Sequence, residues 1–470
     1  MIQVSADEAE IEPGHGYTWR LATPDSPPAP TSRRPAGYNQ AAHLASSRST
    51  GATDRPNPFA LVIACGFELT GPVHLPTLEA AVLHLVHRHE VLRTHCRRTA
   101  RSVSLHVRAP AETRLERVAA GPLPSRAATR AHLHALLRQV DPVTGPLVAV
   151  GAVVREGSAT VHVVYDHLVA DVLSTAITVA DLARAYEDLA HGRRPDPVPA
   201  GSYLDFAREE RAHNLLLRVH DERLGHWRDF LTRGKEFPPA FPLDLGTQGG
   251  HLYPPLNRTH TLLSEPSTQH LETVCRASGA TLLTGVLAAT AASVREEGGP
   301  DTYRALMPLN RRGRHRYSHS VGWFVNAVPV EIPAPRQASL TTRLTLARAG
   351  YEPARRQADV HSVRAQQLLG SPDDTGAAHR PVSFFSYLDF RTAPGAEHPA
   401  TRSARAHVWS AACNGNLLWF QRNHTGLHLN ALHADTPRAR DTMDSLVRTL
   451  IRTLRSFTDQ AGERTSGGWG

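Results

Sequence analysis

The sequence predicts an α+β protein built as two lobes, each a sheet covered by helices. Three observations carry that expectation. The chain has 470 residues, more than one hydrophobic core usually organises. Stretches with strand periodicity are interspersed with stretches of helical periodicity in both halves. A proline-rich break, GRRPDPVPAG (192–201), separates them, placing an N-terminal lobe at 1–191 and a C-terminal lobe at 192–470.

The elements follow in chain order. Residues 20–58 are rich in Pro, Ser, Thr and Ala and read as an extended or loop segment. NPFALVIACGFELTGPV (57–73) reads as a strand. The next stretch, residues 75–96, is a helix: Leu78, Val82, Leu85 and Val86 lie at helical spacing, and Pro76 suits a first turn. ATVHVVYD (159–166) alternates as a strand, with Val161, Val163 and Tyr165 on one face. Residues 173–192 then form a helix with Leu173, Ile177 and Leu182 in its stripe and Gly192 as its stop. YDHLVADVLS (165–174) is therefore a strand end, a short turn and a helix start, a place where a rigid frame often holds working side chains. Beyond the break comes one long polar helix ending LGHWRDFL (224–231). Helices at 266–297, strands TYRALMPL (302–309) and WFVNAVPVEI (323–332), and a helical region at 338–370 come next. Four strands, in VSFFSYLDF, HVWSAAC, NLLWFQRN and GLHLNALH, precede a last amphipathic helix at 436–457.

Composition excludes several classes. No apolar run approaches the roughly 20 residues of a membrane span. The N-terminus, MIQVSADEAEIEPGHG, is too acidic and polar for a secretory signal, so a cytoplasmic protein is expected. Cys65, Cys96, Cys275 and Cys413 are scattered without a CxxC pair, and reduced, buried thiols are expected. His87, His89, His95 and Cys96 do not follow usual zinc spacing, so no metal is expected. The formal charge of +8 rests almost wholly on arginine, Lys235 being the only lysine, a bias that suggests a GC-rich, actinobacterial genome. Aromatic residues make up only 6%, too few for a stacking nucleic-acid surface. The densest basic cluster, NRRGRHRYSH (310–319), reads either as a solvated loop or as a site for the phosphate of a tethered arm.

Four segments, in order, resemble those of non-ribosomal peptide synthetase condensation domains. RHEVLRT (88–94) resembles RHExLRT, and DHLVADV (166–172) sits where that family carries HHxxxDG. HWRDFL…FPLDL (226–245) resembles YWxxxL…LPxD, and VGWFVNAVPV (321–330) resembles IGxFVNTLPL. The resemblance spans about residues 37–457. It implies two chloramphenicol-acetyltransferase-like lobes in a V-shaped pseudo-dimer with a central tunnel, and a crossover near 380–415 back to the first lobe. It implies a donor acyl group on the phosphopantetheine of a carrier protein and a small amine, amino-acid or hydroxyl acceptor. No bound cofactor and a monomer are expected. The chain carries no carrier or adenylation motif, so it would act in trans as a free-standing enzyme.

Carried over residue by residue, the second His of the motif is His167, the catalytic position. An imidazole there can accept an acceptor's proton or stabilise a tetrahedral intermediate. Asp171 takes the motif's structural Asp, which pairs with an arginine of the other lobe, here Arg311 or Arg312. Trp323, Asn326 and Ser386 would line the tunnel. Two positions depart: Asp166 replaces the first His and Val172 the Gly. A carboxylate beside His167 would favour the charged imidazole and raise its pKa, making it a stabiliser more than a base. Asp166, Asp171 and Ser174 also fit the DxxxxDxxS pattern of heterocyclisation domains, and PVSFFSYL (381–388) resembles another of their segments. Asp435 would be their later Asp, but their functional Thr has no counterpart near Asn414 and Gly415.

Read as local structure alone, Asp171 is a helix cap and Arg93 a buried, paired arginine. Four functions stay open: amide- or ester-forming condensation, heterocyclisation, a catalytically silent recruitment domain, and a carrier-independent acyltransferase using a CoA thioester.

Overall fold

The computed structural model describes residues 1–22, 33–49, 61–98, 103–142, 145–234, 237–248, 251–313, 315–370 and 382–466. The chain forms two compact units. The first comprises Met1–Leu215, Asn310–Val325 and Phe390–Ala411; the second comprises Leu216–Leu309, Asn326–Asp389 and Ala412–Gly470.

The first unit is built on a seven-stranded sheet in the order Ile2–Gln3, Arg405–Trp409, Val62–Thr70, Ser158–Asp166, Val148–Val154, Gly14–Ala22, Arg114–Leu123. Its central strands are apolar on both faces, as a sheet covered on both sides requires. Alternation decides which residue meets which cover. Ala64 and Val164 pack with Leu133, Leu136 and Leu137 of the helix Arg126–Leu137. On the opposite face Tyr165 shares a 2.7 Å hydrogen bond with Thr178 of the helix Val172–Ala190. A small sheet of Arg33–Arg34, Val103–Val107 and Thr94–Arg98 completes the unit.

The second unit carries a six-stranded sheet in the order Pro255–Ser264, Gly426–Ala434, Asn416–Asn423, Ser383–Asp389, Thr302–Asn310, Val325–Pro333. In the strand Thr302–Asn310, Tyr303, Ala305 and Met307 face a core shared with the helices Glu265–Ala277, Leu282–Glu296, Leu340–Arg356 and Pro437–Ser466. Leu306, one residue out of phase, packs instead with Trp227, Phe230, Phe237 and Val360. No single described helix is long and apolar enough to cross a membrane.

Four sequence expectations need correction. The helix expected over 75–96 ends at Arg88, and residues 94–96 open the strand Thr94–Arg98. The first unit runs to Leu215, so the proline-rich stretch 192–201 is internal to it. Gly201 is fixed there at both ends of its backbone, its N–H donating to Arg316 O and its carbonyl accepting from Ser320 Oγ, while Tyr203 and Phe206 pack against Phe324. The single polar helix is two, Tyr203–Leu215 and Gly225–Gly234, joined through a short 3-10 turn that Asp221 caps. The loop expected at 20–58 contains a helix, Tyr38–Ser49; residues 23–32 and 50–58 lie outside the described residues.

Candidate active site

The turn after the strand Ser158–Asp166 is held from several sides within the first unit. Asp166 is buried, and its Oδ1 accepts from Leu168 N at 2.8 Å and from His43 Nε2 at 3.0 Å. Gln40, one turn earlier on the same helix, donates to Leu168 O at 2.9 Å. Asp171 is the N-cap of the next helix, accepting from Ser174 N at 2.9 Å. Both ends of the turn are thus pinned by buried carboxylates, and His167 sits between them.

His167 Nδ1 lies 2.7 Å from Ala170 O. A carbonyl only accepts, so Nδ1 carries the proton and Nε2 keeps its lone pair. The ring is half-buried and stacks on Trp323, with centroids 3.8 Å apart and planes 19° from parallel. His43 meets the same indole edge-on at 5.7 Å. Burial pushes the His167 pKa down to about 4, helped by nearby His43; the Ala170 carbonyl, Asp171 and Asp166 pull the other way and lose. This reverses the expectation that Asp166 raises it. The Asp166 carboxylate is engaged by His43 and a backbone N–H, and desolvation of the ring outweighs its charge. Burial thus favours the neutral imidazole of His167, whose Nε2 keeps its lone pair.

The partner of Asp171 is Arg312. The guanidinium is bidentate, Nη2 to Oδ1 at 2.7 Å and Nη1 to Oδ2 at 2.8 Å, with both side chains buried. Both residues belong to the first unit, so the ion pair lies within that unit and not between lobes. Phe324 N also donates to Asp171 Oδ2 at 3.0 Å, and Ser174 Oγ accepts from Arg312 Nη2 at 2.8 Å. Through Phe324, the network fixes the residue adjacent to Trp323. Arg311 donates only its backbone N–H to Phe324 O among these contacts. Val172, where the family has glycine, begins the helix, in a backbone conformation that valine adopts freely.

The remaining candidates sit elsewhere. Asn326 belongs to the second unit and is fully buried. Its Nδ2 donates to Ala358 O and Val360 O, and its Oδ1 accepts from Ser362 N. It ties a strand to a loop and has no donor left for a ligand. Asn326→Ala is expected to cost about 1–3 kcal/mol, because buried backbone groups lose their partners; a thermal melt checks this. Ser386, also in the second unit, lies on the face of its strand opposite buried Phe385. Asp435 is held by Arg440 Nε at 2.6 Å, and that guanidinium lowers its pKa. Pro381 of PVSFFSYL lies outside the described residues. In NRRGRHRYSH, Arg312 is internal and Arg316 pairs with Glu209 and Asp205, so these two are not a phosphate surface; Arg314 is outside the described residues.

RHEVLRT proves to be architecture. Arg88 Nε and His89 Nε2 both reach Asp181 Oδ2, at 2.8 and 2.9 Å, clamping the end of the helix Leu75–Arg88 to the helix Val172–Ala190. His89 Nδ1 accepts from Val321 N, and burial keeps its pKa below the usual range against the pull of Asp181. Arg93 is half-buried and donates to the Val86 and Arg108 carbonyls, so it caps backbone instead of forming the expected ion pair.

Sequence reasoning missed Gln40 and His43. Their helix lies in a stretch of small and polar residues, and its inward side mixes Gln40 and His43 with Leu44, a pattern hydrophobic periodicity does not detect. The one available signal was Gln40, His43 and Leu44 at i, i+3, i+4 spacing.

Comparison with known proteins places this site in context. The family model of the condensation domain matches residues 55–379. PapA1 of Mycobacterium tuberculosis, named 2'-acyl-2-O-sulfo-trehalose (hydroxy)phthioceranyltransferase, is 27% identical over 369 residues, covering 77% of this chain and 68% of its own. The solved PapA2 acyl transferase superposes with a TM-score of 0.85 at 20% identity, covering 98% of this chain and 100% of that one. The first condensation domain of the CDA synthetase superposes with a TM-score of 0.70 at 16% identity, over 90% and 96%. The structural likenesses are of fold, the acetyltransferase-like fold that the sequence resemblance implied.

Proposed function

The chain belongs to the condensation-domain family, and from that premise we propose that it is an acyltransferase moving an acyl group from a phosphopantetheine thioester to an acceptor hydroxyl, with His167 as the base. The observation that carries the reading is the tautomer of His167. Its Nδ1–H is locked on Ala170 O, which leaves Nε2 unprotonated for an incoming O–H. As the acceptor oxygen attacks the thioester carbonyl, its proton passes to Nε2 and a tetrahedral oxyanion forms. Collapse breaks the C–S bond, and the leaving thiolate takes the proton back from Nε2, giving an ester and a free thiol. With a conjugate-acid pKa of about 4, the imidazole holds the proton only while the acceptor is attacking.

A hydroxyl acceptor is favoured because PapA1 is named for transfer to a trehalose derivative, a sugar that offers hydroxyls. An amine acceptor would use the same atoms and form an amide. The residues that would serve heterocyclisation are engaged otherwise, Asp171 and Ser174 in the helix cap and Asp435 with Arg440.

The test uses palmitoyl-CoA and an acyl-loaded carrier protein as donors, with trehalose and an amino-acid amide as acceptors, and mass spectrometry of the products. Acyl-trehalose supports the proposal, and the donor that works tells whether CoA or a carrier presents the acyl group. Acylated amine in its place moves the assignment to amide formation. His167→Gln is expected to lower kcat/KM by about 10²–10⁴-fold, the usual worth of a positioned base. An unchanged rate in that variant refutes the role of His167. The rate should also show no inflection near the ordinary imidazole value of 6.5, because Nε2 is already unprotonated there.

A further inference from the structure

The second unit contains a cavity of about 330 Å³, within the range of small-molecule sites. It is walled by the end of the helix Leu282–Glu296, the entry to the helix Leu340–Arg356, and the last helix around Thr453–Phe457. Arg295, Arg336 and Arg343 all line it. The one carboxylate on the wall, Glu296, is already paired with Arg452. Thr453 adds a hydroxyl that accepts from Ser293 Oγ, while Ser456 Oγ donates to Thr453 O.

Arg295 and Arg343 are positioned by backbone more than by acids. Arg343 donates Nε to Ala338 O at 3.1 Å and Nη2 to Arg336 O at 2.9 Å, which fixes its fork. Arg295 donates Nη1 to Gly299 O at 2.7 Å, while its Nε is buried without a hydrogen-bond partner. Carbonyl oxygens orient a guanidinium but do not neutralise it. Three positive charges against one paired carboxylate leave the wall cationic, and planar forks with the Thr453 hydroxyl beside them suit tetrahedral oxyanions. The volume has room for a phosphate group together with water or a small substituent.

From this we infer that the cavity binds a phosphate group, free or carried on a small ester, between Arg295, Arg336 and Arg343. This site is separate in sequence from the His167 machinery and does not depend on the acyl-transfer reading.

Calorimetric titration of the full chain with phenyl phosphate, inorganic phosphate and benzenesulfonate tests it. Saturable binding of one phosphate group per chain is expected, several-fold tighter than benzenesulfonate, which carries one charge fewer; equal affinity for inorganic and phenyl phosphate assigns the site to the free ion as much as to an ester, and tighter phenyl phosphate assigns it to an ester. Arg295→Gln should weaken binding about 10-fold or more, the worth of a charge-assisted hydrogen bond. Arg336 is exposed, so Arg336→Gln leaves folding intact and should weaken binding in the same direction; a melt confirms that both variants are folded. His167→Gln should bind phenyl phosphate as the parent does. No saturable heat at several millimolar ligand, equal binding of benzenesulfonate, or unchanged binding in both arginine variants overturns the inference.

Discussion

Arg312→Ala is expected to destabilise the first unit by about 3–5 kcal/mol, the usual cost of removing one member of a buried ion pair. The reason is what it leaves behind. Asp171 would keep donors from Ser174 N, Ser174 Oγ and Phe324 N, but its carboxylate would stay buried without a counter-charge. Ser320 O would lose the donor Arg312 Nε, and Phe324 the guanidinium centred 4.6 Å from its ring. Arg312→Lys should recover little, since an ammonium cannot reproduce the bidentate fork. Adding Asp171→Asn to Arg312→Ala should return part of the loss by removing the stranded charge. Denaturant unfolding followed by tryptophan fluorescence reads all three, and a loss below about 1 kcal/mol for Arg312→Ala would contradict the account. The same variant should lower activity, because Phe324, next to the Trp323 that stacks on His167, loses the guanidinium packed over its ring.

The second large effect is acid sensitivity. His162 and His407 lie buried on one face of the seven-stranded sheet, flanking the strand Val62–Thr70. Burial lowers their pKa values to about 3 and about 4, from an ordinary 6.5. A depressed histidine pKa means that the unfolded chain takes up protons first as pH falls. Stability from these two groups is thus present above pH 6.5 and is lost progressively down to the folded values. Each contributes about 1.4 kcal/mol per pH unit in that window, so the pair removes roughly 5 kcal/mol between pH 6.5 and 4.5. That is comparable with the whole stability of many domains. Melting temperature against pH should fall steeply below 6.5, and His162→Asn should flatten the slope. A melting curve level down to pH 4.5 would show that these rings are not held neutral. Gly66 shows how tightly the site is built: a Cβ there would lie 2.8 Å from the His162 ring.

The strand at 159–166, the helix after it and the Asp171 cap were legible in the sequence because each rests on local patterns: period two, helical spacing, and an acid before a helix. The condensation resemblance was legible for a similar reason, being carried by short contiguous motifs. Even the choice between Arg311 and Arg312 narrowed to two neighbours, and only geometry separated them, since one is internal and bidentate while the other contributes backbone.

What the tertiary structure alone decided is the chemical state of the site. The sequence sets Asp166 beside His167, and adjacency suggests a raised pKa. Folding turns the Asp166 carboxylate toward His43, from a helix more than a hundred residues earlier, and desolvates the imidazole under Trp323, from a segment well downstream. The pKa then falls instead of rising. In the same way Asn326, exposed to suspicion as a lone polar residue in an apolar run, is consumed by carbonyls of a later loop. Sequence neighbours fix which groups are near along the chain. Proton affinity is set by solvent exclusion and by partners distant in sequence, and those exist only once the units have folded.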